Sequence, residues 1–497
     1  MNREQMTERF DQWLEHISAY RFALTVIGID ANDGAPSDGA AYRNQRTALL
    51  SADLMRLVND EEMYRLMEDL LKEDLDAETY RKVYLQKAAA DKNRDVPEDE
   101  YIAYQKILRE SQQMWLKAKS ASDYDMYAPY LEKLINAYKK IISYRKDSLS
   151  LFDRVLDDCQ KGWDQEKYDN FFSELKDALI PLIRQISACE QPDTSFMKKI
   201  YPASQQREFM KYILDYIHFD PEWGKIGESE HPLTTGICSD DIRFTTKYRE
   251  YSGIAAVLSS MHESGHAYYT HQMKREYSGT PLARVSAGMQ ESQSRFCENH
   301  LARSEAFWQR HYPKLQELFP GQLGDVSFAT FMRGISRVAC TSVRIEADEL
   351  TYPLHIIIRY ELEKQLFSGE LSVYDLRDAW NRKYEEYLGV TPEDDAHGVL
   401  QDMHWPYAYF GYFPTYALGS AFAAQFFHAM CSEIDPYEMI REDRYTEIMD
   451  WLKEHIHQYG AMYEADEIIE KATGEPFSVK YYIDWLQERY RKLYGLQ

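Results

Sequence analysis

His262-Glu263-Ser264-Gly265-His266 constrains this chain more than any other stretch. Two histidines four apart on a helix share one face and can grip a single metal ion, and the glutamate beside the first of them can take a proton from a water. The spacing means this only on a helix, because in a loop the same letters would not aim both imidazoles at one point. Upstream, Ile254, Val257, Leu258 and Met261 recur at the three-and-four spacing of a buried stripe, and Tyr251-Ser252-Gly253 supplies a start signal. The segment predicts a buried helix carrying a metallopeptidase-type site.

A catalytic zinc takes three protein ligands and keeps a fourth position open. Glu291, 25 positions after His266, is the candidate third ligand, since the chain can leave one helix, turn near Gly279-Thr280-Pro281 and return along another. Its plainer reading is an i,i+4 ion pair with Arg295. Glu298 is the nearest rival ligand, and otherwise an exposed charge or a support for a ligand. Glu263 is assigned the proton transfers, first as general base and then as general acid toward the leaving amine. Zn2+ is the expected ion, and a His/His/Glu set also accepts Co2+ or Mn2+.

With 497 residues, 44% of them hydrophobic, the chain can bury a substantial core. Its formal charge of −24, from 82 acidic against 58 basic residues, argues against nucleic acid or anionic membranes as partners. Cysteines 159, 189, 238, 297, 340 and 431 are scattered singly, which suits reduced thiols rather than a disulfide framework. The opening Met1-Asn2-Arg3-Glu4-Gln5 has no apolar run behind it, and stretches such as Leu354-His355-Ile356-Ile357-Ile358 are too short to cross a bilayer. A cytoplasmic protein is expected.

Helical periodicity dominates, so the expected fold class is mainly α: one helical fold with a deep active-site groove and a small β-sheet beside the metal helix. Helical patterns run at about 4–28, 50–90, 150–190, 203–217, 252–273, 284–303, 326–368, 374–388, 416–433, 443–458 and 480–494. A further Tyr-rich pair spans Glu98 to Arg145, broken near Ser120-Ala121-Ser122-Asp123, and Asp30–Gly39 reads as a loop between the first two helices. The stretch from Pro232 to Thr246, with a Ser-Asp-Asp break, predicts a small hairpin able to hold an extended peptide by β-addition. No linker or repeat divides the chain, so residues 1–497 are expected to form one catalytic domain. Its N-terminal helical part, about 1–200, would cover the groove, and the metal and substrate site would occupy about 230–420.

Three more stretches are unusual for plain helical packing: Arg344-Ile345-Glu346-Ala347-Asp348, Gly398-Val399-Leu400-Gln401-Asp402-Met403-His404-Trp405, and Phe410-Gly411-Tyr412-Phe413-Pro414-Thr415-Tyr416. With the metal segments they resemble the carboxypeptidase Taq family of cytosolic zinc carboxypeptidases. Its motifs are His-Glu-x-x-His, His-Glu-Ser-Gln, Ile/Val-Arg-x-x-Ala-Asp and Gly-x-x-Gln-Asp-x-His-Trp, found here in order. His231-Pro232 and Asp241-x-Arg243-x-Thr245 are similar to the family pattern too. One departure is visible: Gln290, which can hydrogen-bond but carries no charge, stands where the family usually has His before the third-ligand glutamate.

The resemblance implies removal of the last residue from peptides with broad specificity, by a homodimer. It also implies that His404 and Tyr416 stabilise the developing oxyanion, as in angiotensin-converting enzyme-like peptidases, with Tyr412 as the substitute for Tyr416. A guanidinium fork suits a free C-terminal carboxylate, and Arg344 is the first candidate, Arg243 the second. Arg344 has a structural alternative in an i,i+4 pair with Asp348. Asp348 and Asp402 are expected to orient the ligand histidines. The competing reading of the whole chain is a zinc oligoendopeptidase or dipeptidyl carboxypeptidase, which would share the metal helix.

Overall fold

A computed structural model describes residues 1–496. Helices carry most of the chain, and one three-stranded sheet accompanies them. The first helix, Arg3–Asp33, begins at a capping box in which the Asn2 side chain accepts from Gln5 N–H and the Gln5 side chain accepts in return from Asn2 N–H. Its first half packs Phe10, Trp13, Leu14 and Ile17 against Met63, Leu66, Met67 and Leu70, giving the N-terminal helices a small core of their own. The Ala40–Val58 helix buries no residue. Arg81 fastens this unit to the C-terminal part, donating to Glu464 Oε1 at 2.7 Å and to the Ala461 carbonyl at 2.9 Å. A second, much larger core runs from Tyr104 to Tyr490.

Several expected helices are subdivided, each for a local reason. The 50–90 pattern contains the end of Ala40–Val58, then Glu61–Leu70 and Ala77–Asp91, because Asp60 and Asp76 each turn back to accept a backbone N–H as N-caps. The 150–190 pattern breaks at Gly162, whose φ of +79° ends one helix before Asp164 caps the next. In 326–368 only Phe328–Ile335 and Tyr352–Ser368 are α-helical. The intervening chain is irregular, with a 3₁₀ turn at Arg344–Glu346. The loop after the first helix is also shorter than 30–39, since that helix reaches Asp33. The break between Glu98–Ala121 and Ala128–Ser143 falls as expected, at a left-handed Ser122.

The hairpin is present as β2 (Thr234–Cys238) and β3 (Asp241–Thr246), paired antiparallel, and a strand that periodicity did not mark, β1 (Gly224–Glu228), adds in parallel on the other side of β3. Along β3, Ile242, Phe244 and Thr246 are buried while Asp241, Arg243 and Thr245 are half-buried, so one face of the sheet packs inward. That face meets the Ala255–Gln272 helix, which carries both histidines and is called the His helix below.

The His helix packs in turn on Ala287–Arg295, the Glu helix, whose Ser286 cap accepts from Met289 N–H. The expected 284–303 helix changes pitch after Arg295: Phe296–Ala302 is a π-helix, buried throughout. The two helices touch backbone to backbone at Gly265. A Cβ there would overlap the Gln293 carbonyl oxygen and sit 2.7 Å from Ser294 Cα. On its other side the Glu helix meets Phe413–Glu433 at Gly419, where a Cβ would lie 2.6 Å from Glu291 Cβ. The small polar residues at these crossings satisfy themselves locally: Ser264, Ser292 and Ser294 each donate to the carbonyl three residues back.

Gly265→Ala should therefore force the His and Glu helices apart. We expect about 1–3 kcal/mol of lost stability, typical of overpacking a tight core, measured by thermal unfolding, together with weaker metal retention on dialysis.

Candidate metal centre

The two crossing helices bring His262, His266 and Glu291 together. One ligand atom of each lies within 4.8 Å of the others, and Nε2 of either histidine is 3.8 Å from Glu291 Oε2. Ligands around a tetrahedral ion at about 2.0–2.1 Å are separated by roughly 3.4 Å, so a small contraction of this set would complete one. The remaining atoms of the three side chains are already claimed. His262 Nδ1 lies 3.0 Å from Glu298 Oε2 and His266 Nδ1 lies 3.1 Å from Gln290 Oε1. A carboxylate can only accept, so His262 carries its proton on Nδ1, and the same reading at Gln290 leaves both Nε2 lone pairs facing Glu291. Arg295 Nε donates to Glu291 Oε1 at 2.6 Å, leaving Oε2 for the shared point. The donor chemistry fits a divalent metal. The i,i+4 pair with Arg295 and the convergence on the histidines are thus both present, on different oxygens of Glu291.

Burial opposes the ionisation of Glu291, but Arg295 and then the two imidazoles outweigh it and hold the carboxyl below its ordinary value. Glu298 is held down more strongly. Against burial, it accepts from Arg295 Nη1, Arg303 Nη2 and the His262 ring. Glu263, also buried, faces the sheet, and Thr234 Oγ1 donates to its Oε2 at 2.6 Å.

His404 precedes the 3₁₀ turn Trp405–Tyr407, and the two tyrosines lie at the start of Phe413–Glu433. His404 Nε2 is 3.1 Å from the Tyr416 hydroxyl, and the Tyr412 and Tyr416 rings are 5.3 Å apart. Burial pushes the His404 imidazole down to about 3, with Arg344 and Arg359 adding to the effect, so it is neutral near pH 7. Burial also raises the phenols of Tyr412 and Tyr416, and the charge of Glu291 contributes at both. Each keeps its proton and can donate it in a hydrogen bond.

The profile of the carboxypeptidase Taq (M32) metallopeptidase family matches residues 9–490 of this sequence. The chain belongs to that family. Carboxypeptidase 1 of Bacillus subtilis is 39% identical over 494 residues, 98% of this chain and 99% of that protein. Thermostable carboxypeptidase 1 of Thermus thermophilus is 34% identical over 495 residues, 96% and 97% of the two chains. Among solved structures, the M32 carboxypeptidase of Deinococcus radiodurans R1 superposes with a TM-score of 0.94 at 30% identity, covering 99% of both chains. This M32 chain is accordingly a metallocarboxypeptidase, a peptide hydrolase, and its family implies a divalent metal.

Within the M32 chain, Asp348 and Asp402 do not orient the ligand histidines; Glu298 and Gln290 occupy those positions. Asp348 instead accepts from the N–H groups of Leu350 and Thr351 and from Ala339 N–H, closing the turn that starts Tyr352–Ser368. Asp402 binds two guanidiniums: Arg344 Nε and Nη2 on Oδ1 at 3.0 and 2.7 Å, and Arg359 Nε on Oδ2 at 2.6 Å. Burial works against this carboxylate, yet the two arginines hold it well below the usual range. Arg344 has no pair with Asp348, because residues 344–348 are not α-helical. Its third bond, Nη1 to the Tyr352 hydroxyl at 3.0 Å, reaches the ring over which Arg295 lies.

Arg243 does not join this group. It makes a bidentate pair with Asp241 at 2.9 Å. In the sheet it is opposite Thr235, whereas Thr234, the residue that reaches Glu263, is opposite Phe244 on the other face. Three participants were not singled out from sequence: Arg359, Glu363 and Thr234. Arg359 follows the apolar Ile356-Ile357-Ile358 run and Glu363 stands four residues on, so helical spacing puts both on one face, where these two fully buried ionisable groups need partners. Glu363 takes Trp405 Nε1–H at 2.7 Å and Gly411 N–H at 2.9 Å, pinning both ends of the loop between His404 and Tyr412. Burial pushes its carboxyl up to about 8 in spite of these donors.

Glu298→Gln should weaken metal binding by about 10–100-fold, the usual loss when a group supporting a ligand histidine is removed, read by competition with a chromophoric chelator.

Proposed function

We propose that the protein is a zinc carboxypeptidase of broad specificity, releasing single residues from the free C-termini of short peptides. The observation that carries this reading is the convergence of His262 Nε2, His266 Nε2 and Glu291 Oε2 on one point. A divalent ion held by those three atoms supplies Lewis acidity to water and to the peptide carbonyl. Zinc is favoured by two imidazoles and one carboxylate with supported Nδ1 protons, and cobalt or manganese would be substitutes. Glu263 accepts a proton as the water attacks and returns it to the leaving amine. Neutral His404 and protonated Tyr416 offer N–H and O–H donors to the oxygen on which negative charge develops, and Tyr412 lies close enough to assist.

Arg344 is our choice to read the substrate carboxylate. Three of its donors are spent on Asp402 and Tyr352, which fix the guanidinium plane, and its other N–H groups remain for a carboxylate. Arg243, facing away from Glu263, is the weaker candidate. We read residues 1–497 as one catalytic unit, with the N-terminal helices over the groove. A cytoplasmic setting and a homodimer are what the family resemblance implies, and no helix among the described residues is long and apolar enough to cross a membrane. The oligoendopeptidase or dipeptidyl carboxypeptidase alternative is disfavoured, because the curated relatives are named carboxypeptidases.

Metal-replete protein incubated with a 10–15-residue peptide should yield, by mass spectrometry, a ladder of single C-terminal losses that C-terminal amidation and chelation both abolish. Internal cuts indifferent to amidation would reject the proposal. Glu263→Gln should bind metal at wild-type stoichiometry and lose turnover, because an amide keeps the shape but cannot accept the proton. Arg344→Ala should raise KM and lower kcat/KM for free-carboxylate peptides by roughly 10–100-fold. Equal losses on an ester or amide substrate without that carboxylate would assign Arg344 a folding role.

A further inference from the structure

The carboxylate of Glu263 is buried, and among the described residues its one side-chain partner is Thr234. The Thr234 hydroxyl lies 2.6 Å from Glu263 Oε2 and 3.1 Å from the Glu263 backbone carbonyl. A hydroxyl has one proton to give, and the short contact to the charged acceptor takes it. With Oε2 so engaged, Oε1 is the oxygen left for the reacting water.

Thr234 does not come from the metal helices. It sits on β2, an edge strand of the sheet, and two features aim it. Its register partner Phe244 is fully buried, so Thr234 is on the face turned toward the His helix. Two residues on, and on the same face, Gly236 lies against Thr270 of that helix; a Cβ there would be 2.7 Å from Thr270 Cγ2. A Cβ at 236 would press on the Thr270 side chain, so either that side chain or the strand must give way. The β-branched Thr234 also has little χ1 freedom, so the strand backbone fixes the direction of its hydroxyl.

We propose that Thr234 is a positioning residue for peptide hydrolysis: it holds Glu263 Oε2 so that Oε1 faces the reacting centre, and Gly236 sets the strand-to-helix distance at which this works. The inference rests on the reading of Glu263 as general base. Thr234→Val keeps the shape without the donor, and Thr234→Ser keeps the donor. On a short free-carboxylate peptide, metal-replete Thr234→Val should show kcat reduced roughly 10–100-fold, as expected when a reacting group is misplaced by a fraction of an ångström to an ångström, with KM and bound metal unchanged. Thr234→Ser should recover most of that loss, and Gly236→Ala should lower kcat in the same way. Thr234→Ala repeats the test if the valine variant does not fold.

Wild-type kcat in Thr234→Val, a loss confined to KM, or a serine variant as poor as the valine one would overturn the inference. Glu263→Gln assayed alongside separates the two claims. An inactive glutamine variant beside a fully active Thr234→Val refutes the role of Thr234 alone, whereas an active glutamine variant refutes the general base and the inference with it.

Discussion

At Gly265 the backbone of one helix lies against the backbone of another at Gln293 and Ser294, closer than any side chain would permit. The metal centre depends on that contact. Imidazoles and a carboxylate on separate helices can share one ion only if the helix axes approach until small residues meet, and here the sequence supplies Gly265 and Ser264 on one side and Ser292 and Ser294 on the other. Gly419 repeats the device behind Glu291. The serines cost nothing in unmet hydrogen bonds because each returns its hydroxyl to its own helix. The π-turn after Arg295 then keeps Glu298 inside the protein, against His262, and the 0.1 Å difference between the two Nδ1 contacts hides a difference of kind. One ligand histidine is supported by a carboxylate and the other by a neutral amide.

Around this centre charge is buried on a scale that packing alone would not favour. Asp402 with two arginines, and Glu291 and Glu298 sharing Arg295, pay desolvation that a hydrophobic replacement would avoid. What the networks supply is direction. Arg344 is held by Asp402 through its side chain and by Gln401 through its backbone N–H, at 2.8 Å, so the Arg344 and Gln401-Asp402 segments form one surface although 57 residues separate them. Tyr352 joins that surface to Arg295 and hence to Glu291. Burial keeps His404 neutral, with the same arginines adding to the effect, and a neutral imidazole beside a phenol can share a proton with Tyr416 without placing a second cation there. Glu363 adds the last restraint, on a loop that needs it: Ala408 and Gly411 both have positive φ, and a Cβ at 411 would press on Val155.

Most of the helices and the hairpin were legible because periodicity and turn residues act over a few residues. The errors were local as well. Asp60, Gly162 and Asp76 are stop signals inside long periodic stretches, and apolar spacing alone overrode them. The irregular 336–351 segment read as helix because its composition resembles one, while its conformation is dictated by Asp348 and by distant Gln401 and Asp402. β1 was missed since a parallel partner strand needs no turn next to it in sequence.

The sequence by itself determined the chemistry at the metal: the i,i+4 spacing of His262 and His266, the position of Glu263 between them and a return helix carrying Glu291 are all short-range facts, and helix geometry converts them into direction. It also carried the motifs from which the family could be recognised. Only the tertiary structure decided which groups support those residues. Asp402 binds arginines rather than the ligand histidines, Glu298 and Gln290 take the Nδ1 protons, and Thr234 from an edge strand holds Glu263. Each of these bonds joins residues on different elements, so its existence depends on how helices and strands pack, and no periodicity along the chain records that.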